Sequence, residues 1–216
     1  QDQSGGHPEW HVMGDVSPML NGNCAFETKD GQKHKQDGKW DMIIAFPPCT
    51  HLALSGARWF EQKRADGRQR EAIEFFASFF DADCDKLVVE NPSNIIGGDY
   101  IKEHFPDLYE KYEGARTKPT QRIQPWMFGD NAQKTTCLWL KGVPELSPMV
   151  TERPDDIEFV EYTRSNGKKV RLPKWYSNAS GDRSKVRSKT FKGVAENMAL
   201  QFAGDARDVR LSKKEN

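Results

Sequence analysis

Two short apolar runs with an amphipathic segment between them constrain the fold of this chain more than any other feature. Residues 42–44 and 87–89 read Met-Ile-Ile and Leu-Val-Val, the composition of buried strands. Residues 70–80 between them carry apolar side chains at the spacing of one helix face. That stripe comprises Ile73, Phe76, Ala77 and Phe80. A strand, a helix and a second strand in this order predict a parallel pair with a crossover helix, and so an α/β fold.

Residues able to do chemistry follow both strands. The first run continues through Phe46-Pro47-Pro48-Cys49, and the second continues into Glu90-Asn91-Pro92. In an open α/β sheet, ligands bind outside the carboxyl ends of the strands. The two prolines also fix the backbone that carries the thiol. We therefore predict a catalytic site that contains Pro48, Cys49, Glu90 and Asn91.

A thiol beside a carboxylic acid suits the chemistry of pyrimidines. Carbon 5 of a pyrimidine becomes nucleophilic once a thiolate has added to carbon 6, and a thiolate both attacks and leaves readily. Cys49 is the expected nucleophile. Glu90, partly buried and with a raised pKa, is the expected partner of ring N3 and of the exocyclic group. A target base within a duplex would have to be extruded from the stack.

The composition indicates a soluble protein with a single core. The chain has 216 residues, of which 36% are hydrophobic and 30% charged. No apolar segment reaches 18 residues and no secretory leader opens the sequence, so we expect a cytoplasmic protein without a membrane span. The four cysteines are widely spaced, which predicts free thiols. No metal site is expected, because Pro8 separates His7 from His11 and no further ligand completes a zinc spacing.

Positive charge is concentrated near the carboxyl end, although the formal net charge of the whole chain is zero. Residues 163–192 hold ten Lys or Arg and one acid, Asp182. This asymmetry, with Trp175-Tyr176 inside it, is typical of a surface that binds a nucleic acid. The alternative is a solvated basic loop with a packed aromatic pair. The candidate nucleic-acid contacts are Lys168, Lys169, Arg171, Lys174, Trp175, Arg183, Lys185 and Arg187.

Turn residues and periodicity predict the remaining elements and three regions. We expect a short strand over 11–16, a hairpin over 21–38, a strand over 135–140, a hairpin around Ser165-Asn166-Gly167 and a helix over 191–202. The predicted regions are a catalytic core over 1–155, a basic hairpin and loop over 156–192, and a docking helix with a frayed tail over 193–216.

The motifs together resemble the small, often phage- or prophage-encoded relatives of the DNA cytosine-5 methyltransferases. The resemblance rests on Phe46-Pro47-Pro48-Cys49, Glu90-Asn91-Pro92 and Gly14-Asp15-Val16, and continues through residues 123–129, 134–142 and 187–191. It implies a Rossmann-like, class I methyltransferase-like sheet with flanking helices, DNA as partner and S-adenosyl-L-methionine as cofactor. If the chain is phage-encoded, it implies a bacterial host cell.

The resemblance also implies roles for individual residues. Cys49 would attack carbon 6, Glu90 would bind N3 and the amino group, and Asn91 would shape the loop beneath the base. Arg122 would orient Cys49 or the base, although the Arg-x-Arg of the family is missing. The implied cofactor contacts are Asp15, at the adenine amino group, with Val16, Phe46 and Pro47.

The front of the chain departs from that family. The first strand and glycine-rich turn, which would hold the methionine part of the cofactor, would lie upstream of Gln1, so we expect a fold truncated at the N-terminus. Two other functions stay open at this point. One is a DNA-binding protein that kept the scaffold but lost catalysis, as a decoy or protective factor. The other is a pyrimidine-modifying enzyme with a different one-carbon donor.

Overall fold

The structure is a computed structural model that describes residues 6–112, 118–163, 166–177 and 190–203. The chain divides into two compact units. The first comprises Gln1–Pro119 with Trp139–Val143, and the second comprises Thr120–Leu138 with Pro144–Asn216. The strands are β1 (Cys24–Glu27), β2 (Lys33–Gln36), β3 (Ile43–Ala45), β4 (Leu87–Pro92), β5 (Gln121–Ile123), β6 (Thr136–Lys141), β7 (Phe159–Thr163) and β8 (Lys169–Pro173). The described α-helices are α1 (Phe60–Ala65), α2 (Arg68–Ser78), α3 (Asp99–His104), α4 (Pro106–Lys111), α5 (Lys174–Ser177) and α6 (Lys192–Ala203).

The predicted strand–helix–strand unit is confirmed. Strands β3 and β4 pair in parallel, with Ile43 opposite Leu87 and Ala45 opposite Val89, and helix α2 lies between them in the sequence. The expected apolar face of α2 is buried at Ile73, Phe76 and Ala77, while the chain turns into a 3-10 helix at Phe79, so that Phe79 is buried and Phe80 only half-buried. The ring of Phe76 meets Trp139 of β6 edge to face, at 5.0 Å between centroids.

The main sheet is mixed in direction. Its strand order is β3-β4-β6-β5, and β5 runs antiparallel to β6, with Arg122 opposite Cys137. Sheets that contain both parallel and antiparallel pairs are common in α/β folds. The α/β class is therefore confirmed, with a mixed sheet and flanking helices. The strand predicted over 135–140 is β6, shifted by one residue.

The first predicted hairpin is confirmed, but the strand expected before it is wrong. Strands β1 and β2 pair antiparallel within the expected range. Of residues 11–16, only Val12 makes a bridge, to Thr28. The chain turns at Asp15 because its Oδ1 accepts hydrogen bonds from the Ser17 amide at 2.9 Å and the Ser17 hydroxyl at 2.8 Å. Such local side-chain bonds compete with strand pairing.

The second hairpin and the last helix also follow the sequence. Strands β7 and β8 pair antiparallel from Phe159 opposite Pro173 to Thr163 opposite Lys169. Gly167 in the connection has φ +78°, a conformation that glycine adopts without strain. Helix α6 begins one residue later than predicted, and Asp130 Oδ2 accepts its Gly193 amide at 3.0 Å. No helix in the described ranges is long and apolar enough to cross a membrane.

Candidate functional site

The ends of β3 and β4 bring the two predicted motifs together in the first unit. Ala45 lies opposite Val89, so the next residues along the two strands are Phe46 and Glu90. One step further, Asn91 Nδ2 donates to the Pro47 carbonyl oxygen at 2.8 Å. Strand β4 extends through Pro92, so Glu90 and Asn91 lie within the strand, near its carboxyl end, rather than beyond it. The loop that carries Cys49 is thus attached directly to the strand that carries Glu90.

Burial differs along this pair of motifs. The Asn91 side chain is 1% exposed and Glu90 is 8% exposed, and both lie at the end of a strand whose Leu87, Val88 and Val89 are buried. Pro47 is buried, Cys49 is half-buried and Pro48 is exposed. Cys49 is thus partly open to solvent, whereas the Glu90 side chain is largely enclosed.

A short chain of amide side chains extends the contact between the two loops. Asn91 Oδ1 accepts a hydrogen bond from Asn94 Nδ2 at 2.9 Å, and Asn94 Oδ1 accepts one from the Ile96 amide at 2.9 Å. Asn94 also forms a backbone bridge with Ala53. Because these groups are largely shielded from water, each bond also avoids the cost of an unpaired polar group.

The backbone after Cys49 is held at successive carbonyl groups. The Cys49 carbonyl oxygen accepts hydrogen bonds from the backbone amides of Leu52, at 3.0 Å, and Ala53, at 2.9 Å. The Leu52 carbonyl oxygen accepts the Ile95 amide at 3.2 Å, and the Leu52 side chain is fully buried. A loop fixed at this many points positions its side chains before any ligand binds, which is what a catalytic residue requires.

Lys63 supports the same loop and was not predicted from the sequence. It lies on α1, is 7% exposed, and its Nζ donates to the Thr50 carbonyl oxygen at 2.6 Å. Gly56 leaves room for it, since a Cβ there would stand 3.2 Å from the Lys63 Nζ. Burial lowers the pKa of Lys63, with the nearby Arg68 adding to the effect. The sequence alone predicts an exposed side chain for a lysine in such a charged helix, because lysines are rarely buried.

Gln69 holds the next carbonyl group of the loop. Its side chain is fully buried, and Nε2 donates to the His51 carbonyl oxygen at 3.1 Å while Oε1 accepts from the Tyr100 hydroxyl at 2.8 Å. Burial, followed by the charges of Lys63 and Arg68, lowers the pKa of His51. Within the described part of the chain, nothing hydrogen-bonds the buried Nδ1 of His51. Burial and these two positive charges favour the neutral imidazole.

Of the residues predicted to contact the cofactor, Val16 lines a pocket beside β3. An apolar pocket of about 270 Å³ is lined by Val12, Val16, Met19, Leu20, Phe26, Trp40, Met42, Ile43 and Ile44. Asp15 is exposed, and its hydrogen bonds from the Ser17 amide and hydroxyl lower the pKa of its carboxyl group. Phe46 is 50% exposed, whereas Pro47 is buried and carries the carbonyl bound by Asn91.

The predicted nucleic-acid residues fall in the second unit, around the β7–β8 hairpin. Lys168, Lys169, Arg171 and Lys174 are all exposed. The Arg171 guanidinium lies 4.1 Å from the centre of the Phe159 ring, and Lys174 pairs with Glu158 at 2.7 Å. Lys168 lies in the strand connection, and Lys169 is the first residue of β8. Arg183, Lys185 and Arg187 lie outside the described residues.

Two predicted aromatic or basic residues have structural contacts of their own. Trp175 is half-buried, donates from Nε1 to the Gln133 carbonyl oxygen at 3.3 Å, and meets the Phe191 ring at 5.1 Å. This agrees with a packed aromatic residue and leaves less of its face for a base. Arg122 is exposed on β5 in the second unit, and its orienting role stays a prediction.

Comparison of the chain with family models, with curated proteins and with solved structures finds no match. The geometry of the described residues therefore carries the functional argument.

Proposed function

We propose that this chain is a DNA cytosine-5 methyltransferase that acts through a covalent Cys49 adduct and uses S-adenosyl-L-methionine as methyl donor. The observation that carries the proposal is the hydrogen bond from Asn91 Nδ2 to the Pro47 carbonyl oxygen. It ties the nucleophile loop to β4, the strand that carries Glu90, so both proposed reacting groups lie near the carboxyl ends of two adjacent strands. Ligands bind at such strand ends in α/β sheets.

The proposed first step makes carbon 5 of cytosine nucleophilic. The Cys49 thiolate adds to carbon 6, and the electron pair of the 5,6 double bond moves towards N3 and carbon 4. The buried carboxyl group of Glu90, in its acid form, hydrogen-bonds N3 and so stabilises the negative charge that develops there. Asn91 does not touch the base in this scheme, because its side chain is engaged by Pro47 and Asn94.

The apolar pocket beside β3 fits one end of the cofactor. Val16, Ile43 and Ile44 offer an apolar surface to a planar ring, and the exposed Asp15 carboxylate could accept a hydrogen bond from an adenine amino group. When bound, the cofactor supplies an electrophilic methyl group. These residues fit its adenine end, and the proposal assigns no residue to its methionine end.

The remaining steps return the enzyme to its starting state. The bound cofactor would supply the methyl group to carbon 5, and its sulfur would keep the electron pair of the broken sulfur–methyl bond. A base then removes the proton from carbon 5. The released electron pair restores the 5,6 double bond and expels Cys49 as a thiolate. The net change is replacement of the hydrogen on carbon 5 by a methyl group, with one proton given to solvent.

The basic hairpin is the proposed contact to the DNA backbone. Lys168 and Lys169 are exposed at its connection, where phosphate contacts would position the duplex without reading its sequence. A base that reaches the strand edge from within a duplex must first leave the stack.

Transfer of tritiated methyl groups to DNA tests the proposal. The full chain should incorporate label into cytosine, and Cys49→Ser should reduce incorporation by more than about a hundredfold because it removes the nucleophile. Cys24→Ser is the matched control, since Cys24 is also half-buried but lies on β1. Equal incorporation by Cys49→Ser and the unaltered chain would remove Cys49 from the mechanism.

Two further outcomes would replace the proposal. DNA binding with a steep salt dependence, but without calorimetric binding of the cofactor, would indicate a binding protein on a methyltransferase-like scaffold. A modified cytosine whose added mass differs from a methyl group would indicate a different one-carbon donor.

A further inference from the structure

We propose that Lys63 is a positioning residue that stabilises Cys49 as a thiolate through its buried ammonium group. The inference rests on the proposed function only in giving Cys49 the role of nucleophile. Lys63 lies on α1, distant in sequence from the Cys49 motif, and reaches the loop through its long side chain. Its Nζ donates to the Thr50 carbonyl oxygen, the peptide group directly after Cys49, at 2.6 Å.

The position of the ammonium is enforced by its surroundings. Lys63 is 7% exposed. A Cβ at Gly56 would lie only 3.2 Å from its Nζ, so the glycine leaves the ammonium just enough room. The ring of Phe60 lies 5.9 Å away on the same helix. A lysine that merely shields apolar surface extends its charge to water. Lys63 instead directs its charge inward, to the loop of the nucleophile.

Besides Cys49, the charges that act on Lys63 are those of Arg68 and Asp66. Arg68 is paired with Asp66, with its Nε at 2.9 Å from Oδ2, so their charges largely offset each other. His51 has a lowered pKa and favours the neutral form. Glu90, on β4, is the acid at the strand edge and is proposed to act protonated. Burial is the main influence on the pKa of Lys63 and lowers it, whereas the charge of a Cys49 thiolate acts in the opposite direction.

The interaction of Lys63 with Cys49 is reciprocal, because it is one interaction energy between two charges. If the thiolate favours the ammonium, the ammonium favours the thiolate by the same amount. A cation beside a cysteine is a common way to increase the thiolate fraction at neutral pH. The consequence for the proposed reaction is a nucleophile that needs no separate general base.

The test is the pH dependence of Cys49 alkylation by iodoacetamide, measured without DNA or cofactor. Trypsin cleaves after Lys39 and Arg58, so Cys49 lies in its own peptide, residues 40–58, and Cys24, Cys84 and Cys137 lie in other peptides as internal references. The labelling rate of that peptide between about pH 5 and pH 10 gives the midpoint of thiol ionisation.

The expected midpoint for the unaltered chain lies below about 8.5, the ordinary value for cysteine. Lys63→Met should raise it by about one pH unit, the effect of losing a nearby opposite charge. At neutral pH the rate should fall only about threefold, because a more basic thiolate is also a better nucleophile and recovers part of the tenfold loss in its fraction. Lys63→Arg should retain the low midpoint.

Lys63→Gln separates charge from loop support, since it keeps a hydrogen-bond donor but not the cation. The inference predicts that Gln behaves like Met. A Gln variant with the midpoint of the unaltered chain would reduce Lys63 to a support of the loop and overturn the inference. If neither variant folds, as judged by circular dichroism, an ordinary midpoint in the unaltered chain overturns it equally. A low midpoint without methyl transfer would leave the Lys63 role intact and refute only the proposed function.

Discussion

Among substitutions at the site, replacement of Asn91 by Ala is expected to cause the largest loss in the free energy of unfolding. Asn91 is 1% exposed and makes two hydrogen bonds, to the Pro47 carbonyl oxygen at 2.8 Å and from Asn94 Nδ2 at 2.9 Å. Ala leaves both partners without their hydrogen bond and opens a small cavity. The perturbation therefore acts on the attachment of the Cys49 loop and not on the thiol itself.

The magnitude follows from the two partners. Leaving a buried polar group unpaired costs about 1–3 kcal/mol. The Pro47 carbonyl is buried and should bear the larger part of this cost, whereas Asn94 is half-buried and water can replace part of its lost bond. We therefore expect Asn91→Ala to lower the free energy of unfolding by about 2–4 kcal/mol. Asn94→Ala breaks only the outer bond and should cost about 1 kcal/mol.

Urea unfolding followed by circular dichroism measures both values. The double variant should lose less than the sum of the two single losses, by about 0.5–1 kcal/mol, because both substitutions break the same Asn91–Asn94 bond. Asn91→Asp is a useful companion, since it keeps the shape but offers the Pro47 carbonyl an acceptor instead of a donor. A loss below about 0.5 kcal/mol for Asn91→Ala would refute the claim that this bond holds the loop.

Three other expectations follow from the described contacts. First, the pKa of His51 is lowered in the folded chain. Between this lowered value and about 6.5, the unfolded chain binds a proton at His51 that the folded chain does not bind. The free energy of unfolding should therefore fall as the pH drops below about 6.5. The thermal unfolding midpoint should change between pH 7.5 and pH 5.5, and it should change measurably less in His51→Gln than in the unaltered chain. Second, Gly142→Ala should cost more than about 2 kcal/mol in urea unfolding, because at φ +66° its Cβ would collide with the Asp85 carbonyl oxygen. Gly31→Ala, at φ +84° with nothing within 4 Å, should cost only about 1 kcal/mol, and equal costs would contradict the collision. Third, Lys168→Glu with Lys169→Glu should reduce the slope of log affinity for DNA against log salt by about 2, and an unchanged slope in a filter-binding titration would exclude the hairpin connection from the interface.

The predictable part of the fold is the part that local periodicity determines. The sequence predicts the runs at 42–44 and 87–89 and the helix between them, because apolar residues on one strand or helix face must be buried together. Parallel pairing of the two strands is then enough to predict that the Cys49 loop and Glu90 lie near the carboxyl ends of adjacent strands. The Asn166-Gly167 turn likewise identified its hairpin, since few residues adopt the required backbone conformation.

The parts that could not be predicted depend on individual side-chain contacts. The strand expected over 11–16 fails because one Asp15 oxygen binds Ser17 and turns the chain. The burial of Lys63 depends on a carbonyl group 13 residues earlier and on the missing side chain of Gly56, and no spacing rule connects the three. The three residues of β5 likewise carry no signal for its antiparallel pairing with β6.

The most direct test of the central claim is release of tritium from DNA that carries the label at carbon 5 of cytosine. Addition of Cys49 to carbon 6 makes carbon 5 basic, so its hydrogen exchanges with water even without a methyl donor. We predict that the full chain releases label into water in the absence of cofactor, and that Cys49→Ser releases none above background while Cys24→Ser matches the unaltered chain. Label that stays on the DNA with the unaltered chain, both without and with cofactor, would contradict the account.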